Sequence, residues 1–455
     1  MIYTFPIPWI LVFLLNPSLK KNLTPERPNI ILIYVDDMGI GDVSCYGGVT
    51  AHTPNIDRLA AEGKKFTQYY TTSPVCSPSR TSIMTGMYHI RWNINTYLSS
   101  TGFNDKCDQS DYLLSSAPTL AKSLKKVGYQ TAHFGKWHMG GGRNVKDAPS
   151  INAYGFDEYV STYESPDPDP LLTSTRWIWA PTDSIKRWDR TRYFVDKTLT
   201  FLEKNKDQAC YINLWPDDIH SPWVPDEESQ MDWKKHTFKL PKLQAVLKDF
   251  DREIGRLLDG IKALGIEENT LIIFTSDNGP APSFDQLRAN GLRGVKCSLY
   301  EGGILMPMLV KWPSKIAAGT TNSSLIASID LFPTICKITG ATIPKTNDLD
   351  GENFAKALIQ QAQYKRKKEL FFEFGRNEHF NFPKTKNDIS PQLMVRKDHW
   401  KLFASSDGSV VELYDLKADP NEQNNVAKEN PKLVKKLKAK LLQWYVHNDK
   451  QAIQD

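Results

Sequence analysis

Short apolar runs alternate with amphipathic stretches through most of this chain. Asn29–Val35 (NIILIYV), Tyr129–Phe134 (YQTAHF), Ala209–Leu214 (ACYINL) and Thr270–Thr275 (TLIIFT) have the length and composition of buried strands in a mostly parallel sheet. Between them the apolar positions shift to helical spacing. Asn55–Gly63 begins at a Pro-Asn pair, and Thr119–Val127 is amphipathic and closes at Gly128. Lys242–Leu264 puts Leu243, Val246, Leu247, Phe250, Ile254, Leu257, Leu258 and Ile261 on one face. Strands alternating with helices predict an α/β fold, a large mixed but mostly parallel sheet covered by helices on both faces. Ser161–Arg192 breaks the pattern. It is rich in Pro, Asp and Trp, has no period, and reads as an elaborated surface loop of the kind that carries specificity.

Beyond residue 345 the character changes. Glu369–Phe374, Gln392–Phe403 and Val410–Asp415 read as strands of an antiparallel sheet, and Asp419-Pro420-Asn421 as a turn. Pro431–Tyr445 reads as a basic amphipathic helix packed on that sheet, its lysines forming a solvated face. The expected organisation is therefore a catalytic domain over 27–345 and a smaller α+β subdomain over 346–455.

The N-terminus stands apart. Ile7–Leu15 (IPWILVFLL) has the length of a signal-peptide apolar region and is too short to span a membrane. No Lys or Arg precedes Lys20, so the usual basic start is missing. A signal peptide over 1–20 is expected, and with it export to a periplasmic, secreted or lysosomal-type compartment. Asn22 and Asn322 open glycosylation triplets.

A net charge of +5, from 57 basic and 52 acidic residues, is too small to argue for nucleic acid, while it suits an anionic substrate. Six scattered cysteines contain no CxxC pair, which argues against a zinc site or a dense disulfide framework. With Cys76 set aside, the remaining five cannot all pair within one chain.

In an open α/β sheet, ligands bind at the carboxyl ends of the strands. Each predicted strand here runs directly into reactive residues: Asp36-Asp37, then Lys136 and His138, then Asp217-Asp218 and His220, then Asp277-Asn278. Three carboxylates and an amide oxygen suit a hard divalent cation better than zinc. Cys76 lies in PVCSPSRTSIMTG, where Pro78 favours the first turn of a helix starting near Ser77 or Pro78. That helix N-terminus would attract an anion toward Cys76, with Arg80 one turn further on.

The run Cys-x-Pro-Ser-Arg resembles the modification signature of the type I sulfatases, which share the alkaline-phosphatase-like fold. The resemblance extends from Arg27 to about Val426, through RPNIILIYVDDMGIGDVSCYGG, TPNIDRLAAEGKKFTQYYTTSPVCSPSRTSIMTG, HFGKWHMG, DDIHSP, FTSDNGP, LRGVKCSLYEGG and LYDLKADPNEQNNV. It implies that a maturation enzyme oxidises Cys76 to Cα-formylglycine (3-oxoalanine). It further implies that Asp36, Asp37, Asp277, Asn278 and the modified Cys76 bind Ca2+, with Mg2+ as the alternative. Arg80, Lys136, His138, His220 and Lys296 match the remaining polar site residues, with Lys136, His220 and Lys296 on the sulfate. In the implied reaction one oxygen of the hydrated aldehyde attacks sulfur. His220 with Lys296 protonates the leaving alcohol, and His138 takes the proton whose loss releases sulfate.

The first reading is a sulfatase acting on a sulfated carbohydrate, with Trp137, Trp215, Trp223 and the Trp177/Trp179 loop available as a sugar-stacking rim, core packing of several of these as the alternative, and no nucleic-acid partner. Two other readings share the residues: a phosphomonoester or phosphonate hydrolase of the same superfamily, and a non-catalytic sulfated-glycan binding protein.

Overall fold

The structure is a computed structural model that describes residues 1, 27–175, 179–232, 238–344, 348–450 and 452–453. The proposed signal peptide, Asn22 and Trp177 lie outside the described residues. The large sheet contains β1 (Asn29–Val35), β2 (Lys64–Tyr70), β3 (Gln130–Gly135), β4 (Glu158–Ser161), β5 (Cys210–Trp215), β6 (Thr270–Ser276), β7 (Leu305–Lys311), β8 (Thr320–Asn322) and β9 (Ile326–Ala327). The order is β4-β3-β5-β1-β6-β7-β2-β8, with β9 also on β2. The four strands read from apolar runs are neighbours, β3-β5-β1-β6, and all are parallel. Their carboxyl ends therefore meet along one edge of the sheet.

Alternation along β1 feeds two cores. Ile30, Leu32 and Tyr34 pack with Ile83, Met84, Leu331, Phe332 and Ile335 on one face. Ile31, Ile33 and Val35 pack on the other face with α1 (Pro54–Ala61) through Ile56 and Leu59. Phe194 and Phe201 of the Arg190–Lys204 helix join that second core, as does the apolar stripe of Leu240–Ala263. This is the two-sided burial the sequence predicts.

Strands β2 and β7 escape a reading by apolar runs. β2 (KKFTQYY) is half polar, and β7 carries Pro307, a residue that normally argues against a strand interior. The register of β2 against β7 shifts between the pairs Phe66↔Met308 and Tyr69↔Met306. Pro307 falls at that irregularity, where a missing N–H breaks no ladder bond.

The C-terminal sheet has four antiparallel strands in sequence order: β10 (Leu370–Glu373), β11 (Leu393–Lys397), β12 (Trp400–Ala404) and β13 (Val411–Asp415). Gln392–Phe403, read as one strand, is instead a hairpin. It turns at Asp398-His399, with Asp398 at φ 52, a conformation Asp tolerates. Helix Pro431–Lys450 covers the sheet through Leu437 and Leu441, and Trp444 stacks on Phe371 at 5.2 Å. The sheet joins the large domain through a shared cluster in which Phe372, Met394, Phe403 and Tyr414 meet Tyr70, Val75, Tyr88 and Ile90.

Asn322 is buried, its amide donates to Ala362 O at 3.0 Å, and so this glycosylation triplet is not presented at the surface. All six cysteines are free thiols. Among the described residues no helix is long and apolar enough to cross a membrane.

Two buried histidines make the fold acid-sensitive. His89 donates Nδ1–H to Ile94 O at 2.7 Å, His133 sits among Trp137, Phe156 and Trp215, and burial holds both down to about 3. The unfolded chain takes up these protons below about pH 6.5 and the folded chain does not. Stability is therefore full above that pH and falls as pH drops toward 3. By pH 4.5 each histidine should cost about 2–3 kcal/mol. Urea titrations at pH 7 and 4.5 should show His89→Gln with a visibly smaller loss than the parent; an equal loss would contradict the assignment.

Candidate active site

Helix α2 (Cys76–Thr85) begins one or two residues earlier than the sequence suggests, so Cys76 is its first residue. Pro78 sits in the first turn, where its missing N–H leaves no bond unmade. Gly86, at φ 67, ends the helix by taking the left-handed conformation a side chain disfavours. Every residue of α2 is buried.

The sheet edge and the helix start bring the predicted residues together. Cys76 Sγ lies 3.3 Å from Asp36 Oδ1, 3.5 Å from Lys136 Nζ and 3.4 Å from Lys296 Nζ. Lys136 pairs with Asp36 Oδ2 at 2.8 Å and Lys296 with Asp37 Oδ1 at 2.5 Å. Arg80, fully buried, reaches Asp277 Oδ2 at 2.6 Å and Asp36 Oδ1 at 3.3 Å. Asn278 donates to Asp37 Oδ1 at 2.7 Å, and His220 Nε2 stands 3.7 Å from Asp37 Oδ2. His220 Nδ1 faces the Ser221 carbonyl at 2.6 Å, so that nitrogen carries the proton. Asp37 and His138 adopt positive φ, 59 and 52, at their strand ends.

The electrostatics are those of a site built for a cation and an anion together. Burial opposes ionisation of Asp36 and Asp37, yet Lys136 beside the first and Lys296 beside the second hold both below the usual carboxylate range. Burial pushes Asp277 up to about 7 against the pull of Arg80. Burial disfavours charge on Lys136 and Lys296, but the carboxylates more than offset it and both stay protonated. Burial, then Asp36, push the Cys76 thiol well above its ordinary value. An unmodified Cys76 is therefore a protonated and poor nucleophile.

Ligand atoms of Asp36, Asp37, Cys76 and Asp277 all lie within 4.8 Å of one another. The Asn278 Oδ1 is buried without a hydrogen-bond partner, an acceptor aimed at nothing in the protein. An oxygen-rich, buried donor set of this kind fits a hard divalent cation.

The site forms the floor of a cleft of about 930 Å³. Its walls include residues the sequence reading did not single out: Tyr97, Arg143, Glu164, Phe238, Phe284 and Phe382. Among the described residues the predicted tryptophan rim is not there. Trp137, Trp179, Trp215 and Trp223 are all buried, the first and third in the core beneath α2. Asp217, in the predicted DDIHSP stretch, is clamped by Arg187 and Arg190 and positions the His220 loop. Arg288, also unforeseen, is fully buried and ties Asp42 to the Asp37 carbonyl at 2.7 Å.

Comparison with known proteins gives the class, a sulfuric ester hydrolase. Residues 28–341 match the family model described as Sulfatase, and the chain belongs to the sulfatase family. Residues 295–447 also match a model described as N-sulphoglucosamine sulphohydrolase, C-terminal. An N-acetylgalactosamine-6-O-sulfatase of Bacteroides thetaiotaomicron is 27% identical over 90% of this chain and 92% of its own length. A solved structure described under metabolism of multiple glycosaminoglycans by that organism has 26% identity and a TM-score of 0.74, over 91% of this chain and 98% of its own. The crystal structure of Ps i-CgsB with k-i-k-neocarrahexaose has 25% identity and a TM-score of 0.75, covering 94% of each chain.

Proposed function

We propose that this sulfatase is an exported enzyme that removes a sulfate ester from a sulfated carbohydrate. In this reading Cys76, oxidised to formylglycine, is the nucleophile beside a divalent cation, Ca2+ by preference. The observation that carries the reading is the position of Cys76 Sγ: first residue of α2, within 3.5 Å of one carboxylate and two lysines, at the base of an open cleft. When bound, the cation supplies charge for an oxygen nucleophile at position 76, and the hydrated aldehyde supplies two hydroxyls on one carbon. Asp36, Asp37, Asp277 and Asn278 would hold that cation. Lys136 and Lys296 face the sulfate oxygens and offset the charge that grows on them. His220, its Nδ1 occupied by a carbonyl, keeps Nε2 as the atom that exchanges a proton with the leaving alcohol, and Lys296 supports it. His138 takes the proton whose loss frees sulfate.

A carbohydrate substrate fits both the named activities of the relatives and the cleft wall. Phe382 and Phe238 are 40% and 56% exposed, and Phe284 lies tilted against Trp223 with ring centroids 5.7 Å apart. These phenylalanines, with Tyr97, offer apolar faces for sugar rings where the tryptophans do not. Phe382→Ala should raise KM about 3- to 10-fold and leave kcat within about twofold, because stacking binds ground and transition states alike. Steady-state kinetics on the best sugar decides this.

The deciding experiment uses protein made with a formylglycine-generating enzyme and supplied with Ca2+. Turnover is compared on N-acetylgalactosamine-6-sulfate, sulfated carrageenan oligosaccharides and 4-nitrophenyl sulfate, each beside its phosphate counterpart where one exists. Turnover of sulfate over phosphate esters supports the reading. Preference for phosphate, or glycan affinity without turnover by fully modified protein, rejects it.

A further inference from the structure

The cleft holds a hydrogen-bonded pair, His138 and Glu164, of which the reaction outlined above uses only the histidine. His138 Nε2 lies 3.0 Å from Glu164 Oε2 and 3.0 Å from the Leu98 carbonyl. Neither a carbonyl nor an ionised carboxylate has a proton to give, so Nε2 carries the ring proton. Nδ1 is then the lone-pair nitrogen of the neutral ring. It is buried with no hydrogen-bond partner, in a residue only 4% exposed that lines the cleft with Cys76. We propose that Glu164 is the positioning residue for His138: it fixes the Nε2–H tautomer, presents Nδ1 as the proton acceptor, and stabilises the imidazolium once the proton has arrived. This rests on the reading of His138 as a base in sulfate release.

The local backbone is built around this pair. His138 N also donates to the Glu164 backbone carbonyl at 2.9 Å, so the two residues are held at main chain and side chain alike. The run Gly140-Gly141-Gly142 then carries the chain past the Glu164 segment. A Cβ on Gly141, at φ +87, would lie 2.2 Å from Pro166 N, so only glycine permits this approach. The approach delivers Arg143, whose Nη2 holds Glu164 Oε1 at 2.9 Å. Each carboxylate oxygen thus has its own cation-capable partner. Two charged groups act on the ring, Glu164 from the loop after β4 and Lys136 from the end of β3, while Arg143 faces Glu164 from the far side. Burial lowers His138 and Lys136 lowers it further, whereas Glu164 is the group that restores its basicity. Burial opposes the charge on Glu164, but His138, Lys136 and Arg143 keep it ionised.

Two measurements on the full-length, matured, Ca2+-supplied protein test this. The first is 15N NMR of histidine-labelled protein, with His138 assigned by difference from His138→Gln. The parent should show the neutral ring protonated at Nε2. A proton on Nδ1 would overturn the proposal whatever the variants do. The second uses Glu164→Gln and Glu164→Asp. In Glu164→Gln the His138 midpoint should fall by about one unit. Its kcat should drop about 10- to 100-fold, with KM within about twofold, on whichever of 4-nitrophenyl sulfate and N-acetylgalactosamine-6-sulfate the parent hydrolyses faster. The acid limb of its kcat profile should move to lower pH, because a less basic imidazole stays neutral further down. Glu164→Asp, which keeps the charge, should recover part of the rate and of the midpoint. An unchanged midpoint and rate in Glu164→Gln, or Glu164→Asp no better than Glu164→Gln in both, rejects the assignment. If the parent turns over neither ester, the functional reading fails, while the tautomer and the midpoint still decide the pairing.

Discussion

Cys76→Ser should abolish multiple turnover, a loss on the order of 10⁴-fold or more, and should leave substrate binding within a few-fold. Serine nearly matches cysteine in volume, so Lys136, Lys296 and the carboxylates keep their places around it. Its single hydroxyl can attack sulfur, but the resulting ester has no second hydroxyl through which to expel sulfate. The expected signature is therefore a protein that binds a sulfated ligand and at most retains one sulfate. Intact mass after incubation would show the added sulfate, and calorimetry on 4-nitrophenyl sulfate or its product would report binding. A Cys76→Ser protein that cycles at the parental rate would eliminate the two-hydroxyl chemistry, and with it the central role given to residue 76.

Arg80→Met should produce the largest loss of stability at any single position of the site. Arg80 has no exposed surface, pairs with Asp277 and Asp36, donates to the Lys136 carbonyl at 3.0 Å, and lies 5.2 Å from the Trp215 ring. Methionine fills much of the volume and takes away the charge. Breaking a buried pair from one side leaves the carboxylates uncompensated, at about 3–5 kcal/mol. Divalent cation should return part of that loss, since it binds the same carboxylates in the folded state only. Urea unfolding with and without Ca2+ reads both effects. A change under about 1 kcal/mol in metal-free protein would mean that Asp36 and Asp277 do not depend on Arg80 for their charge balance.

Much of the cleft floor was legible in the sequence because Asp36-Asp37, Lys136, His138, His220 and Asp277-Asn278 come after predicted strands, while Cys76 and Lys296 were read from their motifs. An apolar run ending in Asp36-Asp37 or Asp277-Asn278 announces both the element and its chemistry, and the topology β3-β5-β1-β6 sets those ends side by side. The walls were legible only in part: Glu164 falls in the Ser161–Arg192 loop expected to carry specificity, but the sequence does not show which of its residues face the cleft. Glu164, Arg143, Phe284 and Phe382 come from loops without period, and only the folded chain shows which of them meet. The tryptophans misled for a physical reason. Trp215 is the last residue of β5, and two-residue alternation puts it on the same face as Tyr211, inside the core under α2. Proximity to a motif in sequence says nothing about which side of the sheet a ring occupies. Pro307 hid β7 in the same way, since a strand that tolerates proline at a register shift cannot be told from a loop by composition.

The complete enclosure of α2 bears on the order of events in the life of the molecule. Cys76 is 1% exposed, and its helix is enclosed, with Ile83 and Met84 packed among sheet residues and Leu331, Phe332 and Ile335. A small ester can descend the cleft, but another protein's catalytic groove cannot grip the Pro74–Arg80 backbone without prising the helix out. If Cys76 is oxidised as proposed, the catalyst of that oxidation has to meet the segment while it is still extended. On that proposal, maturation and collapse of the chain run as a race, and a copy that folds first keeps its unmodified thiol.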